Sequence, residues 1–131
     1  MTKICLVEDD PDLRENLAVV LGRADYDVRT ASNGVHAIPM LLDWRPDMVV
    51  CDMLMPDGEG FEVLRSVQST LPDTSFVMMS GAIGEVADVL EAARLLGADA
   101  ILRKPFTPDE LLETLAQLRD QARTAVNVSA T

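Results

Sequence analysis

Five residues from four separate parts of the chain share one setting: each stands at the end of a short, mainly apolar run. Glu8 and Asp9 follow Ile4-Cys5-Leu6-Val7, and Asp52 follows Met48-Val49-Val50-Cys51. Ser80 follows Phe76-Val77-Met78-Met79, and Lys104 follows Ala100-Ile101-Leu102-Arg103. Such runs read as β-strands, so acids, a hydroxyl and an ammonium are expected at strand ends. Carboxylates ~4 Å apart repel by roughly 4 kcal/mol per pair at an effective dielectric near 20. A divalent cation removes that repulsion, and an all-oxygen ligand set suits a hard ion, with Mg2+ fitting best. Beside such an ion a phosphoryl group can approach Asp52 without meeting bare negative charge. Lys104 adds a compact positive charge and Ser80 a hydroxyl donor. Phosphoryl transfer asks mainly for positioning and charge neutralisation, and Asp52 is then the nucleophile that becomes an acyl phosphate. Taken singly, Ser80 or Lys104 would say little, and only the set points to this chemistry.

The elements that must position this set alternate five times between short strand-like runs and longer helical patterns. The strands are expected at Ile4–Val7, Tyr26–Thr30, Met48–Cys51, Phe76–Met79 and Ala100–Arg103. The first helix is expected from about Pro11 to Arg23, with Leu13, Leu17, Val20 and Leu21 on one stripe. Further helices are expected over about 33–43, 60–68, 85–96 and 108–123, and Pro39 should shorten or bend the second. The segment Met55-Pro56-Asp57-Gly58-Glu59-Gly60 is rich in turn residues. Strands one, three and four are near-continuously apolar, as strands covered on both faces are. The fold class expected is therefore α/β, a doubly wound parallel sheet of five strands with five helices. In such sheets, ligands bind beyond the carboxyl ends of the strands, where strand order reverses. An order of 2-1-3-4-5 puts strands one and three side by side there, and with them Asp9 and Asp52.

Composition narrows the field. The 131 residues suit one domain, and 48% hydrophobic against 25% charged residues indicates a globular, soluble chain. The net charge of −11 disfavours direct binding to nucleic acid or to an anionic membrane. No apolar run approaches the ~18 residues of a membrane span, and the amino terminus has no signal-peptide organisation. Cys5 and Cys51 lie in separate apolar runs without metal-type spacing, which reads as reduced, buried thiols in a cytoplasmic protein.

The stretches ICLVEDDPDLRENL, PDMVVCDMLMPDGEGFEVL, VMMSGA and GADAILRKPF together resemble the receiver domain of bacterial two-component response regulators. The resemblance runs from residue 3 to about 120 with the motifs in order. It implies a flavodoxin-like receiver domain over 1–123 and a fraying tail over 124–131. It further implies that Asp52 accepts the phosphoryl group and that Asp9 ligates Mg2+ directly. Glu8 then acts on the metal through water, and the backbone carbonyl of Leu54 is the third protein ligand. Ser80 resembles the switch hydroxyl, and Lys104-Pro105 the family's lysine with a proline that can be cis. A histidine kinase or histidine phosphotransfer protein is the implied donor. A downstream protein target, or an output domain outside this sequence, is the implied receiver of the signal. Three residues before Lys104, where many receivers carry an aromatic, this chain has Ile101. The chain is then not an enzyme acting on separate substrates, since it promotes only its own phosphorylation and dephosphorylation.

Plainer readings stand beside these. Asp10 before Pro11 suits a helix N-cap, His36 a surface position, and the seven methionines fillers of core and loop gaps. A magnesium-dependent aspartyl phosphatase would have its nucleophile after the first strand and a second acid two residues on, whereas Leu54 stands two residues after Asp52. A protein-binding module working without phosphate is the third reading.

Overall fold

A computed structural model describes residues 1–55, 59–81 and 95–130, with side chains described through 122. Five strands, β1 (Lys3–Val7), β2 (Asp27–Ala31), β3 (Met48–Asp52), β4 (Ser75–Ser80) and β5 (Ala100–Arg103), form one parallel sheet in the order β2-β1-β3-β4-β5. The described helices are α1 (Pro11–Arg23), α2 (Gly34–Trp44), α3 (Glu59–Thr70) and α4 (Pro108–Ala130). Residues 85–94 of the helix expected over 85–96 lie outside the described residues, as do Pro56, Asp57 and Gly58 of the turn-rich segment. The helical backbone of α4 continues to Ala130, beyond the pattern read to 123.

The strands alternate their side chains between two buried layers. Cys5, Val7, Val49, Cys51, Phe76 and Met78 face α2 and α3, packing with Ala37, Leu41, Val63, Leu64 and Val67. Ile4, Leu6, Val50, Val77 and Met79 face α1 and α4, packing with Leu17, Leu21, Leu111 and Leu115. Every residue of β3 is buried, as an unbroken apolar run covered on both faces requires. Burying one such Leu or Val side chain stabilises the fold by about 1.5–3 kcal/mol. The edge strand β2 is mostly exposed, and only Ala31 of it is buried.

Helix starts follow local chemistry. Asp10 caps α1, its Oδ1 accepting from the amides of Asp12 at 3.0 Å and Leu13 at 3.4 Å, with Pro11 at the first helical position. Asn33 caps α2 by accepting from His36 N at 2.9 Å. Helix α2 runs through Pro39 without a break and stops at Arg45, whose φ of 54° is left-handed. His36 is exposed, and Trp44 packs under Lys3 and Arg29, 5.3 and 4.5 Å from its ring centre. Cys5 and Cys51 are free and buried. No helix among the described residues is long and apolar enough to cross a membrane.

Candidate functional site

Parallel pairing brings the strand ends level. Val7 of β1 sits opposite Cys51 of β3, so the next residues, Glu8 and Asp52, emerge side by side. Asp52 is opposite Met79 and Ser80 is opposite Arg103, which carries Ser80 and Lys104 to the same end of the sheet. Backbone bonds hold the turns that leave it. Glu8 N donates to Ala31 O at 3.1 Å, Met53 N to Met79 O at 3.0 Å, and Lys104 N to Ser80 O at 2.7 Å. The Lys104–Pro105 peptide is cis.

The side chains converge as their strand-end positions require. One carboxylate oxygen each from Glu8, Asp9 and Asp52 lies within 4.8 Å of the others, a group that could hold a metal ion. Glu8 is fully buried and Asp52 is 4% exposed, whereas Asp9 is open to solvent. Lys104 Nζ donates to Glu8 Oε1 at 2.6 Å and lies 3.4 Å from Asp52 Oδ2. The other Asp52 oxygen accepts from Leu54 N at 3.0 Å. Among the described residues, the buried Ser80 Oγ has no hydrogen-bond partner. A buried hydroxyl left unpaired costs about 1–3 kcal/mol, and at strand ends that cost marks a group kept for something other than stability.

The electrostatics are those of a crowded acidic cleft. Burial pushes the Glu8 carboxyl up to about 7, against the pull of Lys104 and with further upward pressure from Asp52 and Asp9. Burial by itself would lower the Lys104 ammonium, but its contacts with Glu8 and Asp52 outweigh that and raise it. The two shifts leave Lys104 charged while Glu8 changes charge near neutral pH, because burial of the Glu8 carboxylate outweighs the pull of the ammonium beside it. A hard divalent cation fits this donor set, since every candidate ligand is an oxygen and the excess charge is negative.

All five strand-end residues singled out from the sequence meet here, and Leu54 joins them through its amide. Its side chain is 52% exposed beside the site, and a Cβ at Gly81 would lie 4.0 Å from it. Ala82, which also follows β4, lies outside the described residues. Three contributors escaped the sequence reading. Arg14, one turn into α1, donates through Nη1 to the Glu8 carbonyl at 2.9 Å. Glu59 Oε2 accepts from Gly34 N at 3.2 Å and so ties the start of α3 to the start of α2. Gly60 lets α3 approach the end of β3, where a Cβ would come 2.8 Å from Asp52 O and 2.9 Å from Met53 Cα. Its position in a turn-rich run hid that requirement, because Glu59 and Gly60 already belong to the helix.

Residues 4–116 match the family model described as the response regulator receiver domain. The response regulator MprA of Mycobacterium sp. (strain KMS) is 36% identical over 118 residues, covering 88% of this chain and 50% of that protein. The MprA of Mycobacterium bovis (strain BCG / Pasteur 1173P2) matches with the same identity and coverage. The chain thus spans about half the length of the curated relatives it matches. Among solved structures, the chemotaxis response regulator CheY4 of Vibrio cholerae superposes with a TM-score of 0.80 at 31% identity, over 90% of this chain and 98% of that one. A CheY-like receiver domain from Methanospirillum hungatei shares the fold with a TM-score of 0.86 at 24% identity, over 95% and 98% of the two chains. With the strand order in place and the family model matched over residues 4–116, this chain belongs to the response regulator receiver domains of two-component systems.

Proposed function

We propose that Asp52 accepts a phosphoryl group from a phosphohistidine on a histidine kinase or histidine phosphotransfer protein. The observation that carries the reading is the position of the Asp52 carboxylate, 3.4 Å from Lys104 and grouped with Glu8 and Asp9. An Asp52 oxygen attacks phosphorus, the phosphorus–nitrogen bond of the donor breaks, and the imidazole leaves and takes up a proton. Lys104 balances charge on the phosphoryl oxygens, and the Leu54 amide holds Asp52 in one orientation. Asp9, Asp52, the Leu54 carbonyl and, through water, Glu8 would hold Mg2+. Bound there, the ion supplies positive charge to a phosphoryl oxygen and relieves the repulsion among the acids.

In this reading, Ser80 is the response element. Its unpartnered Oγ gains an acceptor when a phosphoryl group arrives at Asp52. A hydrogen bond to a charged group is worth about 1.5–3 kcal/mol, enough to shift a two-state loop by roughly ten- to a hundredfold. The face that changes comprises the helix expected at 85–96, most of which lies outside the described residues, with β5 and α4. Ile101 is half-buried against the layer that holds Met78 and Phe76, and a branched aliphatic side chain there swings less than an aromatic one. Leu54 offers apolar cover that slows attack by water on the acyl phosphate. The chain promotes only its own phosphorylation and dephosphorylation, in the cytoplasm, and passes the signal to a protein partner or an attached output domain.

Incubation with acetyl phosphate and Mg2+, followed by intact mass, tests the central step. A gain of one phosphoryl group in the wild type and none in Asp52→Ala is expected. A gain that persists in Asp52→Ala, or no gain in the wild type, overturns it.

A further inference from the structure

Of the three grouped acids, only Asp9 is open to solvent, so its placement depends on the backbone that carries it. Glu8 beside it is anchored at several atoms. Its amide donates to Ala31 O at 3.1 Å, Oε1 accepts from Lys104 Nζ at 2.6 Å, and Oε2 accepts from Asp10 N at 3.4 Å. Beyond Val7, which pairs with Ala31 and Cys51, the chain turns out of the sheet. The Glu8 carbonyl, which leads into Asp9, must then find its partner elsewhere. Arg14 supplies it, Nη1 donating at 2.9 Å, while the Arg14 amide donates to Asp10 O at 2.9 Å. The carbonyls of both residues that flank Asp9 are thus tied to Arg14. Helix chemistry alone gives no reason for an arginine here. In the first turn of α1 a cation faces the positive end of the helix dipole, where an acid such as Asp12 is favoured.

We propose, on the reading of Glu8, Asp9 and Asp52 as magnesium acids, that Arg14 is a positioning residue for that site. By holding the chain on both sides of Asp9, it keeps the exposed carboxylate in the orientation that ligates Mg2+. Groups that orient metal ligands typically govern affinity by roughly 10- to 100-fold. The lower end applies to Arg14, because it acts through backbone and Glu8 has three other anchors. Two simpler roles predict different results. Were Arg14 to act only through its charge, removing it would strengthen Mg2+ binding, because a positive neighbour repels the cation. Were it only the partner of a half-buried carbonyl, removing it would lower stability and leave Mg2+ affinity unchanged. Weaker binding on removal of the guanidinium is the outcome that positioning alone predicts.

Calorimetric Mg2+ titrations of the full chain at fixed pH and ionic strength, with urea melts alongside, make the test. Arg14→Met keeps the stem and removes the donor, and should bind Mg2+ about tenfold more weakly than the wild type. Arg14→Lys keeps the charge but offers a shorter, single donor, and should bind roughly two- to fivefold more weakly. It carries the test alone if Arg14→Met does not fold. In the acetyl phosphate assay, the Mg2+ concentration giving half-maximal rate should rise by more than the maximal rate falls, because Arg14 works on how the acids are held. A folded variant that binds Mg2+ as tightly as the wild type, or more tightly, overturns the proposal whatever its melt shows. That result would leave phosphorylation of Asp52 standing, whereas a wild type that binds no Mg2+ overturns the magnesium reading and this proposal together.

Discussion

The two ends of the sheet treat polar groups in opposite ways. At the amino end, four polar side chains near the strands answer backbone groups close by. Asp47 Oδ2 accepts from Lys3 N at 2.8 Å, Lys3 Nζ donates to Trp44 O at 2.7 Å, and Thr74 Oγ1 donates to Pro46 O at 2.7 Å. Asp99 Oδ2 accepts from Phe76 N at 2.7 Å. At the carboxyl end, three carboxylates cluster, two of them share one ammonium, and a buried hydroxyl has no partner among the described residues. One end is closed by local pairing, and the other keeps unspent charge and an unspent hydrogen bond. The difference separates groups that hold the fold from groups held for a ligand.

Substitutions on the two ends should therefore fall into different classes. The largest effect is expected from Lys104→Met. Phosphoryl uptake from acetyl phosphate should slow by about a hundredfold or more, in line with losing one positioned charge at a developing anion. A Lys104→Met rate within a few-fold of wild type would erase the distinction between the ends. Gly60→Ala should come next, costing about 1–3 kcal/mol of unfolding free energy, because the new methyl meets backbone rather than a flexible side chain. It should also slow uptake, since the clash is with the Asp52 carbonyl. Urea melts of both proteins test the first point.

The carboxyl end should also respond to pH. In the metal-free protein the Glu8 carboxyl is raised from 4.5 to about 7 by burial, so the folded state holds a proton there that the unfolded state has released. The stability this contributes is complete below pH 4.5 and is lost as pH rises through 7. Magnesium affinity should run the other way, because the ion competes with that proton. Calorimetric titrations should show binding weakening by up to about tenfold as pH falls one unit below the Glu8 transition, and equal affinities on both sides of it would count against Glu8. The smallest effects sharpen the contrast most. Asp99→Ala should cost about 1 kcal/mol and leave phosphorylation unchanged. Ser80→Ala should cost no stability, or add up to about 1 kcal/mol, because relief of the unpaired hydroxyl is offset in part by the small void left behind. A Ser80→Ala loss as large as that of Asp99→Ala would mean that the hydroxyl holds the fold after all.

Strand identity, the parallel sheet and the residues at the strand ends were readable because they depend on local patterns. Apolar runs mark strands covered on both faces, and a charge directly after such a run must emerge at the sheet's end. Asp10 before Pro11 announced its cap in the same way. Arg14, Glu59 and Gly60 were not readable, because their roles depend on partners brought near by the fold rather than by the chain. The Glu8–Lys104 contact joins residues 96 positions apart, and no local pattern encodes how deeply it is buried.

By itself the order of amino acids determined which side chains reach the carboxyl end of the sheet, since strand polarity and side-chain period are properties of the local backbone. Only the tertiary structure decided how they meet there: Glu8 sealed from water, one ammonium divided between two acids, Ser80 left without a partner among the described residues. Burial and distance set those energies, and both arise when separate segments pack against one another.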